Sequence, residues 1–295
     1  MKVGFIGIGV MGSRMVKQFL DANFKVSVYS RSPEKADPLI KLGAERSQDI
    51  ATLAQSVDVI CTCLSMPSDV QEIYLGEGGI LEHAKKEAIC VDFTTVGVDT
   101  SKEIYQKALD KEIDYLDAPV SGGPEGVEQG TLTIMVGGEE SAFATIHPLL
   151  NTIGETIQHL GQTGSGSAAK LINQYLVAVH SLAASEAMVT GATLGLDSEQ
   201  LYQVLKMSYG DSRMLRRHIG SHVLDRQFEP GGAMKYLHKD VKLANQLCEE
   251  VGFEQFTGRL AEEALAKAMG QGLADSDMSA VIQPLEKVCD VVVKR

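Results

Sequence analysis

The first 22 residues restrict the possible folds more than any other part of the chain. Lys2-Val3-Gly4-Phe5-Ile6 has the composition of a short buried strand, and the turn Gly7-Ile8-Gly9-Val10-Met11-Gly12 follows it directly. Residues 13–22 then continue as an amphipathic helix. A G-x-G-x-x-G turn between a strand and a helix is typical of a Rossmann dinucleotide-binding domain. We therefore expect the six turn residues Gly7, Ile8, Gly9, Val10, Met11 and Gly12 to bind a dinucleotide.

Each glycine of this turn has a separate predicted task. Gly7 permits the tight turn after the strand, and Gly9 lets the backbone approach a pyrophosphate. Gly12 lets the helix pack closely on the strand. The N-terminus of the helix supplies N–H groups to the phosphates.

The pattern of the chain changes near residue 160. Before it, short apolar runs alternate with amphipathic segments, which indicates a mainly parallel sheet with helices on both faces. After the first strand, further strands are predicted at 25–29, 57–64, 88–93, 114–118, 133–136 and 156–160. Helices are predicted at 167–195, 198–208, 233–251, 253–269 and 276–294.

These patterns predict an α/β fold in two domains. An N-terminal Rossmann dinucleotide-binding domain spans residues 1–162, and an all-α C-terminal domain spans residues 163–295, with a long interdomain helix at its start. We expect the active site between the two domains and the helical domain to supply an oligomer interface.

The end of the second predicted strand indicates which nicotinamide cofactor binds. NAD-selective sites usually carry Asp or Glu at this position, whereas NADP sites offer Arg or small polar groups. Here the strand leads into Ser30-Arg31-Ser32, and the first acid beyond is Glu34. We therefore expect NADP(H) to be preferred, with NAD(H) possible. The alternative is an exposed turn in which Arg31 is simply solvated.

A lysine follows the glycine-rich segment 161–166 at the start of the longest predicted helix. Helical spacing places Lys170, Asn173 and Gln174 on one face. The positive end of the helix dipole disfavours a charged lysine, so we expect a lowered pKa for Lys170. Such a lysine, with amides to orient a substrate oxygen, suits proton exchange with a carbonyl or an alkoxide. The alternative is a solvated lysine at a helix start.

Two further segments follow predicted strands. Asp92-Phe93-Thr94-Thr95 ends one strand, where the crevice of an open α/β sheet places ligands. Ser121-Gly122-Gly123 follows another, and its hydroxyl and exposed N–H groups can receive a small carboxylate. Taken alone, a Ser-Gly-Gly sequence is more often an ordinary turn.

Composition excludes several classes of function. A formal net charge of −12 with no basic tract argues against nonspecific nucleic-acid binding. The long apolar helix is interrupted by polar residues such as Lys170 and Glu186, so it is not expected to span a membrane. Five cysteines without C-x-x-C spacing are expected to be reduced packing residues. His218 and His222 have helical ligand spacing but no third ligand nearby in sequence, so we expect no metal. No secretory signal is recognised, and the protein is expected in the cytoplasm.

Taken together, the motifs resemble those of the β-hydroxyacid dehydrogenases over essentially the whole chain. The resemblance lies in Val-Gly-Phe-Ile-Gly-x-Gly-x-Met-Gly at the start, residues 117–130, residues 161–174, and Lys239-Asp240. It implies that Lys170 is the catalytic acid/base and that Asn173 positions the substrate. Ser121, Gly122 and Gly123 then bind the substrate carboxylate, and Gln174 is also expected to bind the substrate. The implied cofactor contacts are Leu64, Ser65, Met66, Thr95 and Lys239. One departure is Val98, where many members have proline.

The resemblance implies hydride transfer between a nicotinamide cofactor and a small 3-hydroxy acid or its semialdehyde, by a homodimer or homotetramer. Substrates of the 3-hydroxyisobutyrate dehydrogenase type and of the 2-hydroxy-3-oxopropionate (tartronate semialdehyde) reductase type are both compatible. The alternatives are a succinic semialdehyde or glyoxylate reductase, and another reductase of the wider superfamily. 6-Phosphogluconate dehydrogenases usually show Asn-His where this chain has Asn173-Gln174, and imine reductases commonly replace the lysine. A cofactor-binding protein without enzymatic activity is a third possibility.

Overall fold

The computed structural model describes residues Met1–Arg295 and separates into two compact units along the chain, Met1–Lys170 and Leu171–Arg295. The first unit contains parallel strands alternating with helices, and the second is helical. The predicted fold class, a Rossmann domain followed by a helical region, is confirmed.

Six parallel strands form the main sheet of the first unit. They are β1 Lys2–Ile6, β2 Lys25–Tyr29, β3 Glu45–Arg46, β4 Val59–Thr62, β5 Ile89–Asp92 and β6 Asp114–Asp117. Their spatial order is β3-β2-β1-β4-β5-β6. The chain therefore runs outwards from β1 to one edge and returns to the centre at β4. This reversal opens a crevice at the carboxyl ends of β1 and β4, where open α/β sheets bind ligands.

Helices connect these strands. The eight helices that lie wholly in the first unit are α1 Val10–Asp21, α2 Asp37–Lys41, α3 Ile50–Ser56, α4 Pro67–Leu75, α5 Ile80–His83, α6 Val98–Leu109, α7 Gly123–Gln129 and α8 Glu140–Leu150. A 3₁₀ turn, Pro33–Ala36, precedes α2.

Apolar side chains cover both faces of the main sheet, because successive residues of a strand point to opposite sides. On β4, Val59 and Cys61 join a buried cluster with Phe5 of β1 and Phe19 of α1. Ile60 between them joins a second buried cluster on the other side. The predicted layers of helix, sheet and helix are thus present.

The last two predicted strands of this unit belong to a separate small sheet. It consists of β7 Val120–Ser121, β8 Leu132–Val136 and β9 Gly154–His159, in the order β7-β8-β9. β7 pairs antiparallel with β8, and β8 pairs parallel with β9. Only one isolated bridge, between Asp117 and Gly137, joins this sheet to β6. Sequence periodicity located these strands but could not show which sheet they join.

The longest helix, α9, spans Ser165–Thr193 and continues from the first unit into the second. The other helices of the second unit are α10 Ser198–Leu205, α11 Met234–Glu250, α12 Thr257–Ala268 and α13 Gln283–Cys289. Shorter segments are a π-helix at Leu215–Val223, a π-helical turn at Met269–Leu273 and a 3₁₀ turn at Met278–Ile282. None of these helices combines the length and the apolar character that a membrane span needs.

The helix predicted at 276–294 is wrong in extent. A 3₁₀ turn occupies its first part, α13 begins with Pro284 in its first turn, and Asp290 ends it in a left-handed conformation with φ 52°. Proline fits the first turn of a helix but not its interior, so the chain restarts there as a new helix.

Candidate active site

The glycine turn after β1 is built on close backbone contacts. Gly7 has φ +95°, and a Cβ there would collide with the carbonyl oxygen of Cys63. A Cβ on Gly12 would collide with the carbonyl oxygen of Gly7 and lie 2.8 Å from Cε1 of Phe5. Side chains at either position are therefore excluded, which lets α1 begin directly over the end of β1.

Gly9 differs from its two neighbours in this turn. It precedes α1 in an extended conformation, φ −76° and ψ −158°, and a Cβ there would meet no atom within 4 Å. The following residue, Val10, is 63% exposed. Packing within the fold does not require a glycine at position 9. The absence of a side chain there leaves the surface above the turn open. An open helix N-terminus of this kind has room for a pyrophosphate.

A cavity of about 230 Å³ lies beside this turn at the ends of β1, β2 and β4. Eight of the residues predicted to contact the cofactor line it: Gly7, Ile8, Gly9, Ser30, Arg31, Ser32, Leu64 and Ser65. Val10, Met11, Gly12, Met66, Thr95 and Lys239 are not among its lining residues. The structure therefore brings the loops after three strands together, as the strand order predicts.

Three charged residues of this cavity were missed by sequence reasoning. Lys35 belongs to the 3₁₀ turn after Ser32, and its position one turn beyond Arg31 was a usable local signal. Asp69 and Glu72 come from α4, far away in sequence. Asp69 Oδ1 lies 3.8 Å from Nη2 of Arg31, whose side chain is 74% exposed. The turn after β2 contains no acidic residue, but Asp69 and Glu72 of α4 bring two acidic side chains into the cavity.

A buried hydrogen-bond network holds the ends of β4 and β5. Oδ1 of Asp92 accepts hydrogen bonds from Oγ1 of Thr62 at 2.7 Å and from the amide of Thr94 at 3.1 Å. The Thr94 hydroxyl in turn accepts the amide of Leu64 at 2.9 Å. Burial raises the pKa of Asp92 to about 6, against the opposing effect of these hydrogen bonds. The network fixes the loop that begins at Leu64.

The start of α9 is anchored on the end of β6. Asp117 is buried, and its two carboxylate oxygens accept the amides of Gly164 at 2.7 Å and of Ser167 at 2.6 Å. Burial raises the pKa of Asp117, and the two amides oppose that rise. Lys170, one turn into the helix, is only 7% exposed. This burial argues against the alternative interpretation, in which Lys170 is a solvated lysine at the start of a helix.

The segment Ser121-Gly122-Gly123 leaves β7 in an unusual conformation. Gly122 has φ +138° and Gly123 has φ +69°, both in the region that favours glycine. A Cβ on Gly122 would also lie 2.8 Å from Cδ2 of Leu132. Two consecutive glycines are therefore required here by the backbone, and the half-buried Ser121 precedes them.

In the second unit, polar side chains of α9 and α11 form a chain of contacts. Asn173 Nδ2 donates to Oε1 of Gln174 at 3.0 Å, and Gln174 Nε2 donates to Oδ2 of Asp240 at 2.6 Å. The other oxygen of the buried Asp240 lies 2.8 Å from Nζ of Lys239. The structure thus brings together three predicted site residues, Asn173, Gln174 and Lys239. Asp240 is the residue that joins them, and the sequence motif Lys-Asp contained it.

His218 is the other notable polar group of the second unit. It is fully buried, and burial together with the nearby charge of Arg217 lowers its pKa to about 3. His222, four residues later, contacts the carbonyl oxygen of Gln227 through Nδ1 at 3.1 Å. No three His, Cys, Asp or Glu side chains are grouped as metal ligands.

The chain matches two sequence families in succession. The family described as the NAD binding domain of 6-phosphogluconate dehydrogenase matches residues 2–161. The family described as the NAD-binding region of NADP-dependent 3-hydroxyisobutyrate dehydrogenase matches residues 164–285.

Full-length relatives agree with these matches. The chain is 34% identical to 2-(hydroxymethyl)glutarate dehydrogenase of Eubacterium barkeri, over 99% of this chain and 97% of that protein. It is 32% identical to 2-hydroxy-3-oxopropionate reductase of Escherichia coli strain K12, over 97% of each. The solved structure of 3-hydroxyisobutyrate dehydrogenase of Mycobacterium tuberculosis, described with L-serine, is similar with a TM-score of 0.88 at 29% identity, over 96% and 98% of the two chains.

The dinucleotide-binding sheet and the family matches together define an NAD(P)-dependent oxidoreductase that acts on hydroxy acids. The chain belongs to the β-hydroxyacid dehydrogenase family, which confirms the resemblance that its motifs indicated.

Proposed function

We propose that this protein is an NADP(H)-preferring dehydrogenase that interconverts a small 3-hydroxy acid and its semialdehyde, with Lys170 as the acid/base. The substrate is of the 3-hydroxyisobutyrate or 2-hydroxy-3-oxopropionate type. The observation that carries this proposal is the placement of Lys170. It is buried one turn into α9, and a buried carboxylate fixes the start of that helix at the end of a sheet strand.

The residues around the glycine turn fit a dinucleotide. The open surface at Gly9 accommodates the pyrophosphate, while Ser30, Arg31, Ser32 and Lys35 lie at the end of β2, where the adenosine ribose is expected. Two cations and two hydroxyls suit a 2′-phosphate, because a guanidinium binds phosphate bidentately. When bound, the nicotinamide supplies or accepts the hydride.

Lys170 handles the proton at the substrate oxygen. During reduction its ammonium donates a proton to the oxygen as negative charge develops there. During oxidation the neutral amine accepts that proton. The 7% exposure of Lys170 keeps competing water away from the proton transfer.

The neighbouring polar groups orient the substrate in this proposal. Ser121 and the amides of Gly122 and Gly123 bind the carboxylate, using the turn that only glycines can form. Asn173 holds the reacting oxygen with the second N–H of its side-chain amide, because the first donates to Gln174. Gln174 is itself fixed by Asp240, so it also orients Asn173.

The names of two relatives support the substrate class. 2-(Hydroxymethyl)glutarate and 2-hydroxy-3-oxopropionate both carry a carboxylate, and both carry a hydroxymethyl or aldehyde group on the adjoining carbon. A site with one carboxylate cradle and one acid/base is compatible with this common part. The two named compounds differ in the rest of their structure. Our proposal is therefore limited to the part they share, a carboxylate with a hydroxymethyl or aldehyde group on the adjoining carbon.

We also propose a homodimer or homotetramer in the cytoplasm. Large apolar side chains of the second unit are left exposed, including Leu194, Val204, Met207 and Tyr209. Such residues favour association with a further copy. All five cysteines are free thiols, and this favours a reducing compartment.

Steady-state turnover with a substrate panel tests the proposal. The panel contains methylmalonate semialdehyde, 2-hydroxy-3-oxopropionate, succinic semialdehyde and glyoxylate, each with NADPH and NADH, and propanal as a control without a carboxylate. We expect one of the first two to give the highest kcat/KM, with propanal at least about 100-fold lower because the carboxylate cradle is left unpaired.

Other outcomes of the panel have defined meanings. If succinic semialdehyde or glyoxylate gives the highest activity, the proposed substrate class is wrong and the alternative function, a succinic semialdehyde or glyoxylate reductase, is supported. Dinucleotide binding without turnover of any carboxylated aldehyde contradicts an enzymatic function and favours a cofactor-binding protein.

A further inference from the structure

The helix that carries Lys170 has an N-terminal cap that comes from another element. Gly164 occupies the cap position, since its carbonyl oxygen accepts the amide of Ala168 at 2.9 Å. Its φ of +95° suits only glycine, so the cap residue has no side chain to accept the free amides of the first turn. Asp117, 47 residues earlier, provides both acceptors instead.

The main chain of Asp117 is fixed as firmly as its side chain. Its amide donates to the carbonyl oxygen of Gly137 at 3.1 Å, and its own carbonyl oxygen accepts the amide of Gly137 at 2.8 Å. These bonds hold the end of β6 against the residue that follows β8. Asp117 is thus a rigid point to which the first turn of α9 is bound.

Close packing at two glycines shows how near the helix approaches this point. A Cβ on Gly166 would lie 2.5 Å from the carbonyl oxygen of Asp117 and 3.0 Å from the amide nitrogen of Gly137. A Cβ on Gly137 would lie 2.7 Å from Oδ1 of Asp117. A further buried contact, 2.9 Å between the hydroxyls of Ser101 and Ser167, holds the same turn. These close contacts therefore fix the position of the first turn of α9 against the end of β6.

The same aspartate begins the segment assigned to the substrate carboxylate. Ser121 follows four residues later, and the intervening carbonyl oxygen of Pro119 accepts the amide of Met135 at 3.1 Å. Ser167, on the other side, precedes Lys170 by three residues. The short connections on both sides place the acid/base and the carboxylate segment in one rigid frame centred on Asp117.

We propose that Asp117 is a positioning residue that sets the distance between Lys170 and the substrate carried by Ser121-Gly122-Gly123. This inference rests on the proposed function. A carboxylate is needed because two amides point at it from two directions. An asparagine offers one oxygen, and its NH₂ group would face an N–H donor. A general acid must lie within hydrogen-bond reach of its oxygen, and a displacement of about 1 Å costs about 100-fold in rate.

The test compares Asp117→Asn with two carboxylate controls. Asp49→Ala removes a helix cap that accepts the amide of Thr52 at 2.7 Å, and Asp277→Asn changes a buried carboxylate that accepts the amide of Ser279 at 3.0 Å. For each variant, single-turnover hydride transfer, the Kd for the dinucleotide and the Tm are measured. We expect hydride transfer in Asp117→Asn to fall about 100-fold with an unchanged dinucleotide Kd. The controls are expected to lose Tm while keeping the wild-type rate.

A merely structural role gives a different pattern. If Asp117→Asn loses Tm but transfers hydride at the wild-type rate, the positioning role is overturned. If that variant does not fold, Asp117→Ser replaces it, because the smaller side chain fits the same space but cannot accept the amides of both Gly164 and Ser167. A slower transfer of about 100-fold in Asp117→Ser supports the proposal, and a wild-type rate overturns it.

Failure of the proposed function is distinguishable in the same experiment. A Lys170→Ala variant that transfers hydride normally refutes Lys170 as the acid/base, and the positioning role is then refuted with it. An inactive Lys170→Ala beside a fully active Asp117→Asn refutes only the positioning role.

Discussion

The carbonyl oxygen of Gly7 occupies the space that a Cβ atom on Gly12 would need. Gly9, between them, has no such neighbour, because a Cβ there would meet no atom within 4 Å. The two glycines of one turn therefore differ. Gly12 is required for the turn to fold, whereas the fold leaves room for a side chain at Gly9, and we propose that a bound ligand excludes one there.

This difference predicts opposite behaviour for two alanine variants. Gly9→Ala is expected to keep the wild-type Tm but to raise the dinucleotide Kd at least about tenfold, or about 1.4 kcal/mol, because its methyl group stands where the pyrophosphate approaches. Gly12→Ala is expected to lose about 1–3 kcal/mol of folding stability as well, by overpacking. Thermal denaturation and a dinucleotide titration measure both effects.

Gly270→Ala is the control for this pair, since a Cβ at position 270 also meets no atom within 4 Å. It is expected to change neither the Tm nor the dinucleotide Kd by much. Wild-type binding by Gly9→Ala would place the pyrophosphate elsewhere.

Arg31 is expected to select the cofactor. Arg31→Ala removes a guanidinium from the cavity at the end of β2, and a lost hydrogen bond to a charged group costs about 1.5–3 kcal/mol. The kcat/KM for NADPH should therefore fall about 10- to 100-fold, while that for NADH should change less than about twofold. Steady-state kinetics with both cofactors measure the ratio, and equal losses would remove Arg31 from the selectivity argument.

Asp69→Asn is the matched variant, and it is expected to change the preference for NADPH in the opposite direction. The carboxylate lies 3.8 Å from Arg31 and competes with a phosphate for the guanidinium. Asparagine removes the negative charge but retains an oxygen for the amide of Met66, which Asp69 accepts at 3.2 Å. We expect a higher ratio of NADPH to NADH activity in this variant. A lower ratio would contradict a 2′-phosphate at this place.

Local sequence signals predicted the parts of the site that depend on neighbouring residues. The glycine turn, the strand bounds of β2 and the long helix through Lys170 all follow from short-range periodicity and steric rules. The two-residue strands β3 and β7 were missed because so short a pairing leaves no alternating pattern.

Contacts between distant elements could not be predicted in this way. Asp69 reaches the cavity at the ends of β1, β2 and β4 only because β4 lies beside β1, and the cap of α9 comes from Asp117 because β6 ends beneath it. Both depend on the spatial order of strands, which hydrophobic periodicity does not encode. Gln174 is a related case, since its contact with Asp240 depends on the packing of α9 against α11.

Lys170 is the residue on which turnover is expected to depend most. Lys170→Ala should reduce single-turnover hydride transfer by about 10²- to 10⁴-fold, the usual loss on removing a general acid/base. Lys170→Arg should fail as well, since a guanidinium stays protonated and cannot act as a base. Asn173→Ala should slow the reaction less, because the proton-transfer group remains. Nicotinamide absorbance follows the reaction, and a separate titration controls for dinucleotide binding.

Asp92 is expected to make folding stability depend on pH. Its carboxyl is fully buried, and its pKa is raised to about 6. Below about pH 4 the group is protonated in both the folded and the unfolded chain, so it contributes no pH dependence. Between about pH 4 and 6 only the unfolded chain ionises, which lowers the stability of the fold as pH rises. Above the folded pKa both forms are ionised and the loss is complete.

Asp92→Asn should abolish this part of the pH dependence. The asparagine oxygen can still accept Thr62 and Thr94, and its NH₂ group can donate to the hydroxyl of Tyr115, which lies 3.4 Å from Oδ2 of Asp92. Relative to wild type, the variant should gain roughly 2–3 kcal/mol of stability between pH 4 and pH 7. The measurement is Tm against pH, with the exposed Asp110→Asn as control. A constant difference in Tm between variant and wild type over that range would show that Asp92 is ionised in the folded protein throughout.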